Sequence, residues 1–223
     1  MDVTAAPWRS LGLVVSEVGG QCTGTLVGPR TVLTAAHCLY NPATLQRLDA
    51  RRIQFFLAPT KGSHSRHARV VAVVTTPGFS VSHDMRPDPA AAPNADWALL
   101  VLESEIGDAG RALSLAYGYL RPGTLIALGG YQADRGQQMV ADTSCTIVAY
   151  GVDTSGRIMM RHSCTATSGG SGGPLLTKTP DGKWLVVGVA SLALNGAAGG
   201  WAVPTAAIAQ AMQRSTPSVT PGS

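Results

Sequence analysis

His37, Asp96 and Ser171 are the residues of this 223-residue chain whose types and order could carry nucleophilic catalysis without a metal or a cofactor. A serine hydroxyl is a poor nucleophile near neutral pH and needs an adjacent base. An imidazole can be that base when an acceptor on its other ring nitrogen holds the right tautomer. Ser171 lies in Ser168-Gly169-Gly170-Ser171-Gly172-Gly173-Pro174. Glycine on both sides lets the backbone take sharp, positive-φ conformations that expose Oγ and aim neighbouring N–H groups at one point, the geometry of an oxyanion hole. Alone, this segment reads equally well as a flexible Gly/Ser loop. His37 closes the apolar run Leu33-Thr34-Ala35-Ala36-His37-Cys38, where a cross-linked cysteine would immobilise the ring. Asp96 opens Asp96-Trp97-Ala98-Leu99-Leu100, an acid at the mouth of a buried strand. A buried carboxylate needs partners, and a histidine N–H would be one.

The elements that must position these groups read as β-strands. Apolar residues make up 45% of the chain and charged residues only 13%, with 26 glycines and 14 prolines. Short Val/Leu/Ala/Thr runs broken by Gly and Pro favour an all-β fold, and the length allows one large core or two small ones. Strands are expected at 11–18, 22–28 and 31–35, with the turn Gly28-Pro29-Arg30 between the last two, and at 52–57, 69–75 and 97–102. The stretch from Pro77 to Ala95 is too long for an ordinary connection and reads as a functional surface loop. A polar connector at 103–112 is the best subdomain boundary. Further strands are expected at 124–129, 138–142, 145–150, 158–161, 174–177, 184–192 and 200–203. One helix follows, with Thr205 as its N-cap. The Pro/Ser/Thr-rich tail, 215–223, is expected to be disordered.

Several function classes are set aside. The net charge is +4, and the basic stretch from Arg47 to Arg69 lacks interleaved aromatic residues beyond Phe55 and Phe56, so it reads as a solvated loop rather than a nucleic-acid surface. No run of 18 apolar residues implies a membrane span. His64 and His67, with His83 or Asp84 nearby, lack the rest of a coordination sphere, so no metal site is expected. The cysteines are Cys22, Cys38, Cys145 and Cys164. They permit three pairings that the sequence alone does not choose among, and no CxxC pair points to zinc. Two bridges would imply an oxidising compartment. The segment Met1-Asp2-Val3-Thr4 is not a signal peptide, so for a secreted or periplasmic protein the signal is expected to be missing from this sequence.

Cys22-Thr-Gly-Thr-Leu-Val through Thr34-Ala35-Ala36-His37-Cys38, Asp96-Trp-Ala-Leu-Leu and Gly169-Gly170-Ser171-Gly-Gly-Pro174 resemble the three catalytic motifs of chymotrypsin-like (trypsin-like) serine proteases. The resemblance spans most of residues 10–210, and its nearest flavour is the bacterial secreted branch similar to glutamyl-endopeptidase-like enzymes. It implies two six-stranded antiparallel β-barrels with a C-terminal α-helix and an active site in the cleft between them. Within a single domain, 1–223, the barrels would span 10–105 and 112–204, and the helix 205–214. It implies a triad of His37, Asp96 and Ser171, an oxyanion hole of the Gly169 and Ser171 N–H groups, and a Cys22–Cys38 bridge. The placement of Cys145 and Cys164 is similar to that bacterial branch. Ser191-Leu192-Ala193 resembles the strand that pairs with the substrate backbone. The partner implied is a peptide or protein substrate, cut by a monomer through an acyl-enzyme with no cofactor.

Where the chain departs from the animal enzymes of that family, the expectations change. Gly170 replaces the acid that receives a newly cut N-terminus, so no activation salt bridge is expected. The primary pocket would be built from Thr165, Ala166, Ser168 and Ala190, with Gly199 and Gly200 leaving the opposite wall open. No acid stands there for Arg or Lys, and Ala190 stands where glutamate-preferring relatives carry histidine. A neutral pocket for small or medium apolar side chains is therefore expected. Two alternatives remain: a protease-fold binding module with impaired catalysis, for which Gly170 leaves room, and an esterase using the same nucleophile.

Overall fold

In a computed structural model of the chain, which describes residues 2–58, 66–108, 110–132, 138–165, 170–194, 196–214 and 218–221, strands form where short apolar runs can turn one face inward. The first six are β1 (Leu11–Ser16), β2 (Gln21–Gly28), β3 (Thr31–Thr34), β4 (Ile53–Leu57), β5 (Arg66–Thr75) and β6 (Ala98–Leu102). They close into a ring in the order β1-β2-β3-β6-β5-β4, all antiparallel. In β4 and β6 every second residue is buried, so Ile53, Phe55, Leu57, Ala98, Leu100 and Leu102 fill the interior. Closure gives every strand of the ring a partner on each side.

The chain then passes β7 (Ser114–Leu115) and builds the second ring from β8 (Leu125–Gln132), β9 (Gln138–Val152), β10 (Ile158–His162), β11 (Pro174–Lys178), β12 (Trp184–Ala193) and β13 (Gly200–Pro204). Its order is β8-β9-β10-β13-β12-β11, again closed, with β7 lying parallel to β12. The fold is thus two six-stranded antiparallel barrels followed by the helix α1 (Thr205–Arg214), as the resemblance implied. Each barrel has its own apolar interior. A third cluster, including Trp8, Leu13, Leu33, Trp97, Tyr131, Val189 and Val203, joins residues of both rings and forms the seam between them. Both disulfides, Cys22–Cys38 and Cys145–Cys164, are formed. Among the described residues no helix is long and apolar enough to cross a membrane.

The strands expected at 138–142 and 145–150 are one strand, β9, because a register shift opposite Ile126–Leu128 absorbs the polar residues Thr143 and Ser144 without breaking the ladder. Thr205 does not cap α1. It is the first helical residue, and its buried hydroxyl is turned to the carbonyls of Ala116 (2.8 Å) and Val186 (3.0 Å), fastening the helix to the second barrel. Of the tail expected to be disordered, Ser218–Pro221 form a strand, β14, paired antiparallel with β5 from Ala72 to Thr75. Residues 215–217 and 222–223 lie outside the described residues. β5 has an edge free for β14 because its two barrel partners, β4 and β6, pair with different parts of its length.

The Cys145–Cys164 bridge spans 19 residues of sequence. Replacing both cysteines with alanine is expected to lower the unfolding free energy by about 3 kcal/mol. The measurement is a urea titration of oxidised protein and double variant, and an unchanged midpoint at unchanged slope would refute the expectation.

Candidate active site

The strand β3 ends in a 3₁₀ turn, Ala36–Leu39, and places His37 at the seam. Cys38 in that turn is bonded to Cys22 of β2, so the turn is pinned to the neighbouring strand. Asp96 arrives from the other direction, between the short turn Pro93–Ala95 and β6, and is 0% exposed. Its carboxylate is met on several sides. The His37 backbone N–H donates to Oδ1 at 2.8 Å. His37 Nδ1 lies 2.8 Å from Oδ2 and 3.1 Å from Oδ1, with the ring nitrogen as donor to the ionised acid. Ser191 Oγ, on β12 of the second barrel, donates to Oδ2 at 2.5 Å. His37 is 8% exposed, and with Nδ1 engaged by the acid its Nε2 is the ring nitrogen left for the cleft.

Ser171 comes from the loop that precedes β11. Its carbonyl accepts the N–H of Thr23, on β2 of the first barrel, at 2.9 Å. Gly172 N–H donates to Ala190 O, Ala190 N–H returns a bond to Gly173 O, and Gly173 N–H closes a turn onto Gly170 O, each at 2.9 Å. At Gly172 φ is +76°, and a Cβ there would come within 2.4 Å of Thr23 O and 2.3 Å of Thr34 Oγ1. Glycine is required at 172 both for the positive φ and for this close approach. The Ser171 turn therefore sits against two strands of the opposite barrel.

His37 and Ser171 line one cleft of about 610 Å³, together with Ser191, Leu192, Ala193, Leu194 and the loop residues Asp84, Met85 and Arg86. The structure thus brings His37, Asp96 and Ser171 to one place and sets Ser191–Ala193 along the cleft. Ala190 is buried behind the Ser171 turn, and the exposed Thr165 is held by its N–H to Asp142 Oδ2 at 2.9 Å. Gly169, Ala166 and Ser168 lie outside the described residues. At Gly200 a Cβ would meet Leu192 O and His162 Nε2, so no side chain fits there. His67 stacks on Phe56 with ring centres 5.2 Å apart, and His64 lies outside the described residues. The sulfurs of Cys22 and Cys38, close to His37, are spent on their disulfide and are not metal ligands.

Sequence reasoning missed the second-barrel partner of Asp96, Ser191, and the tether of Ser171, Thr23. A count of lone pairs on the buried carboxylate was the available signal, since one histidine does not satisfy both oxygens. It also missed a clasp beneath Asp96. The β9–β10 turn carries Asp153, whose Oδ2 accepts the Asn94 N–H at 2.9 Å, while Asn94 Nδ2 donates to Ile158 O at 2.5 Å and Thr154 Oγ1 donates to Pro89 O at 2.6 Å. Burial pushes the Asp153 carboxyl up, but hydrogen bonds from Ser155, Asn94 and Arg157 outweigh it and hold the group below its ordinary value.

Residues 3–212 match the Trypsin family. A 43-residue stretch is 42% identical to glutamyl endopeptidase of Bacillus licheniformis, covering 19% of this chain and 13% of that protein. Phenoloxidase-activating enzyme 1 of Spodoptera litura is 24% identical over 247 residues, 90% of this chain and 60% of that protein. The chain therefore spans less than two thirds of the length of either relative. A solved structure of Glu endopeptidase in complex with MPD shares the fold at a TM-score of 0.70 and 19% identity, over 95% of this chain and 92% of the other.

At the end of β10, His162 is 2% exposed and its Nδ1 is buried without a hydrogen-bond partner among the described residues. Burial pushes its pKa down to about 4, against an opposing pull from Asp142. The ordinary value is 6.5, so between the two the unfolded chain binds more protons than the folded one, and stability falls as pH is lowered through that window. His162→Gln removes this proton uptake. The variant is expected to lose less stability than the parent between pH 6.5 and pH 4, by about 3 kcal/mol. Denaturant melts at both pH values measure the difference, and equal losses for the two proteins would refute it.

Proposed function

Because the chain belongs to the Trypsin family, whose members are proteases, we propose that it is a serine endopeptidase working through an acyl-enzyme. The observation that carries this reading is the buried Asp96 carboxylate under the Nδ1 edge of His37, in a cleft that His37 shares with Ser171. In this reading Ser171 Oγ attacks the peptide carbonyl, and His37 Nε2 takes its proton. The same proton goes to the leaving amine as the tetrahedral intermediate collapses to an ester on Ser171. Water, deprotonated by His37, then hydrolyses the ester and releases the second product. Asp96 fixes the His37 tautomer and stabilises the imidazolium that forms in each half-reaction. The Gly169 and Ser171 N–H groups are assigned to the oxyanion that develops on the carbonyl oxygen.

Substrate binds in this reading as an added strand along Ser191–Ala193, whose residues line the cleft. The residue before the cut enters a neutral pocket by Thr165, Ala166, Ser168 and Ala190, and small or medium apolar side chains fit it. The substrate named for the glutamyl endopeptidases does not carry over, since Ala190 offers no charge to a glutamate. The two disulfides support a secreted or periplasmic protein, where thiols oxidise and stay oxidised.

Ser171→Ala is expected to lower peptide turnover by roughly a million-fold. A fluorophosphonate probe should label the parent at Ser171 and leave the variant unlabelled. Parent-level cleavage of casein by the variant would sink the assignment. Folded parent that takes no label would favour a binding module, and turnover of esters without peptides would favour an esterase.

A further inference from the structure

One wall of the cleft comes from the connection between β5 and β6, and this stretch is built rather than slack. Val81 bridges Pro87, and Asp88 N–H donates to Ser80 O at 3.0 Å. Between these points the chain turns tightly, with Met85 in the left-handed region at φ 60°. Ser82 holds the turn: its N–H donates to Arg86 O at 2.9 Å, and its hydroxyl lies 2.6 Å from Asp84 Oδ1 and 3.0 Å from Arg86 O. The tip, Asp84–Met85–Arg86, faces the same cleft as His37 and Ser171.

Arg86 reaches across that cleft. Its Nη2 donates to Ala193 O, at the end of β12, over a long 3.4 Å. The guanidinium makes no ion pair among the described residues. Its neighbour Asp84 accepts from the Ser82 hydroxyl and, at 3.4 Å, from the Arg86 backbone N–H, and these bonds, with a smaller pull from the Arg86 charge, hold its carboxyl below the ordinary value. A guanidinium carries five donors in a planar fork suited to a carboxylate. Among the described residues it spends one of them on a single weak bond, and that bond goes to the strand along which substrate is expected to lie.

We infer that Arg86 is a specificity-determining residue, which binds a carboxylate side chain of the peptide substrate two to four residues before the cut. The inference rests on the protease reading of the cleft. An extended substrate added to Ser191–Ala193 repeats every two residues along it. With the cut at Ser171, beside Ser191, the upstream residues pass Ala193 and the guanidinium that covers its carbonyl. A substrate N–H arriving at Ala193 O displaces Arg86, and a carboxylate on the same peptide is a stronger acceptor than the carbonyl Arg86 gives up. The site lies at a solvent-facing rim, so the preference is electrostatic and screened by salt.

The test uses the full chain and matched peptide pairs that differ only by Glu or Gln at the second, third or fourth position before the cut. The parent is expected to favour Glu at one of these positions by about tenfold in kcat/KM at low salt, with the preference shrinking as salt is added. Arg86→Gln should bring the ratio to near one, and Arg86→Glu should invert it and favour Lys over Gln. Each ratio is taken within one sample, so a partly folded variant does not distort it. A parent that cuts all the pairs with ratios near one, or a preference that survives Arg86→Gln, overturns the inference alone. A chain that cuts neither member of any pair overturns the protease reading and this inference with it.

Discussion

A single negative charge held at 0% exposure governs how this molecule is assembled. The free energy of burying an ionised carboxylate is prohibitive unless the charge is met by hydrogen bonds and a partner. Asp96 is met by the backbone N–H of His37, by the His37 ring and by the Ser191 hydroxyl. These donors do not belong to one unit. His37 follows β3 in the first barrel, and Ser191 lies on β12 in the second. The carboxylate is satisfied only when the barrels are in register across the seam. Its electrostatics therefore fix the relative placement of two β-rings that each have their own apolar interior.

The same cross-bracing recurs at Ser171. Ser171 belongs to the second barrel, yet its carbonyl is held by Thr23 on β2 of the first, and the Thr23 hydroxyl accepts the N–H of Tyr131 on β8 at 2.9 Å. Gly172 lies so close to Thr23 and Thr34 that no side chain fits. On the far side of Asp96, Asn94 of the first barrel is held by Asp153 and Ile158 of the second. Asp96 and Ser171 are thus each positioned in part by the barrel they do not belong to, and His37 is positioned through Asp96. A displacement of one barrel against the other breaks several buried hydrogen bonds together, and each lost partner leaves a desolvated polar atom behind.

What was legible in the sequence follows from this arrangement. The histidine, aspartate and serine segments could be read because their signals are local: Thr-Ala-Ala-His-Cys, an acid before an apolar strand, and a serine among glycines. The all-β class was legible from short apolar runs broken by Gly and Pro, whereas the two barrels were implied by the family resemblance, because the alternation of β4 and β6 lies in their burial and not in their residue types. Thr23, Ser191 and Thr205 were not read for their roles, because each acts through a bond to a residue far along the chain while its own neighbours are ordinary strand residues. His162 was passed over for a related reason. Nothing in Ile158–His162 tells a buried imidazole from an exposed one until Gly200 is placed across the ladder from it. The division of β9 into two strands and the disorder assigned to the tail came from taking polar residues and proline as breaks. A register shift and an unoccupied strand edge accommodated them instead.

The placement of charge separates two tasks. The acid beneath His37 is fully buried, where a charge acts on its neighbours with little screening and its geometry must hold through every step. Arg86, Asp84 and the hairpin that carries them stand at the rim, outside the seam. That hairpin satisfies its own turn through Ser82, Asp84 and Asp88, so its shape does not depend on the buried network. A residue at its tip can change charge without disturbing Asp96, whereas a change at Ser191 or Thr23 reaches the carboxylate or Ser171 directly. Variation in what the cleft accepts is physically cheapest at this rim, and variation in the interior network is costly. The long connection between β5 and β6 is thus the place in this fold where selectivity can differ while the barrels and their shared charge stay the same.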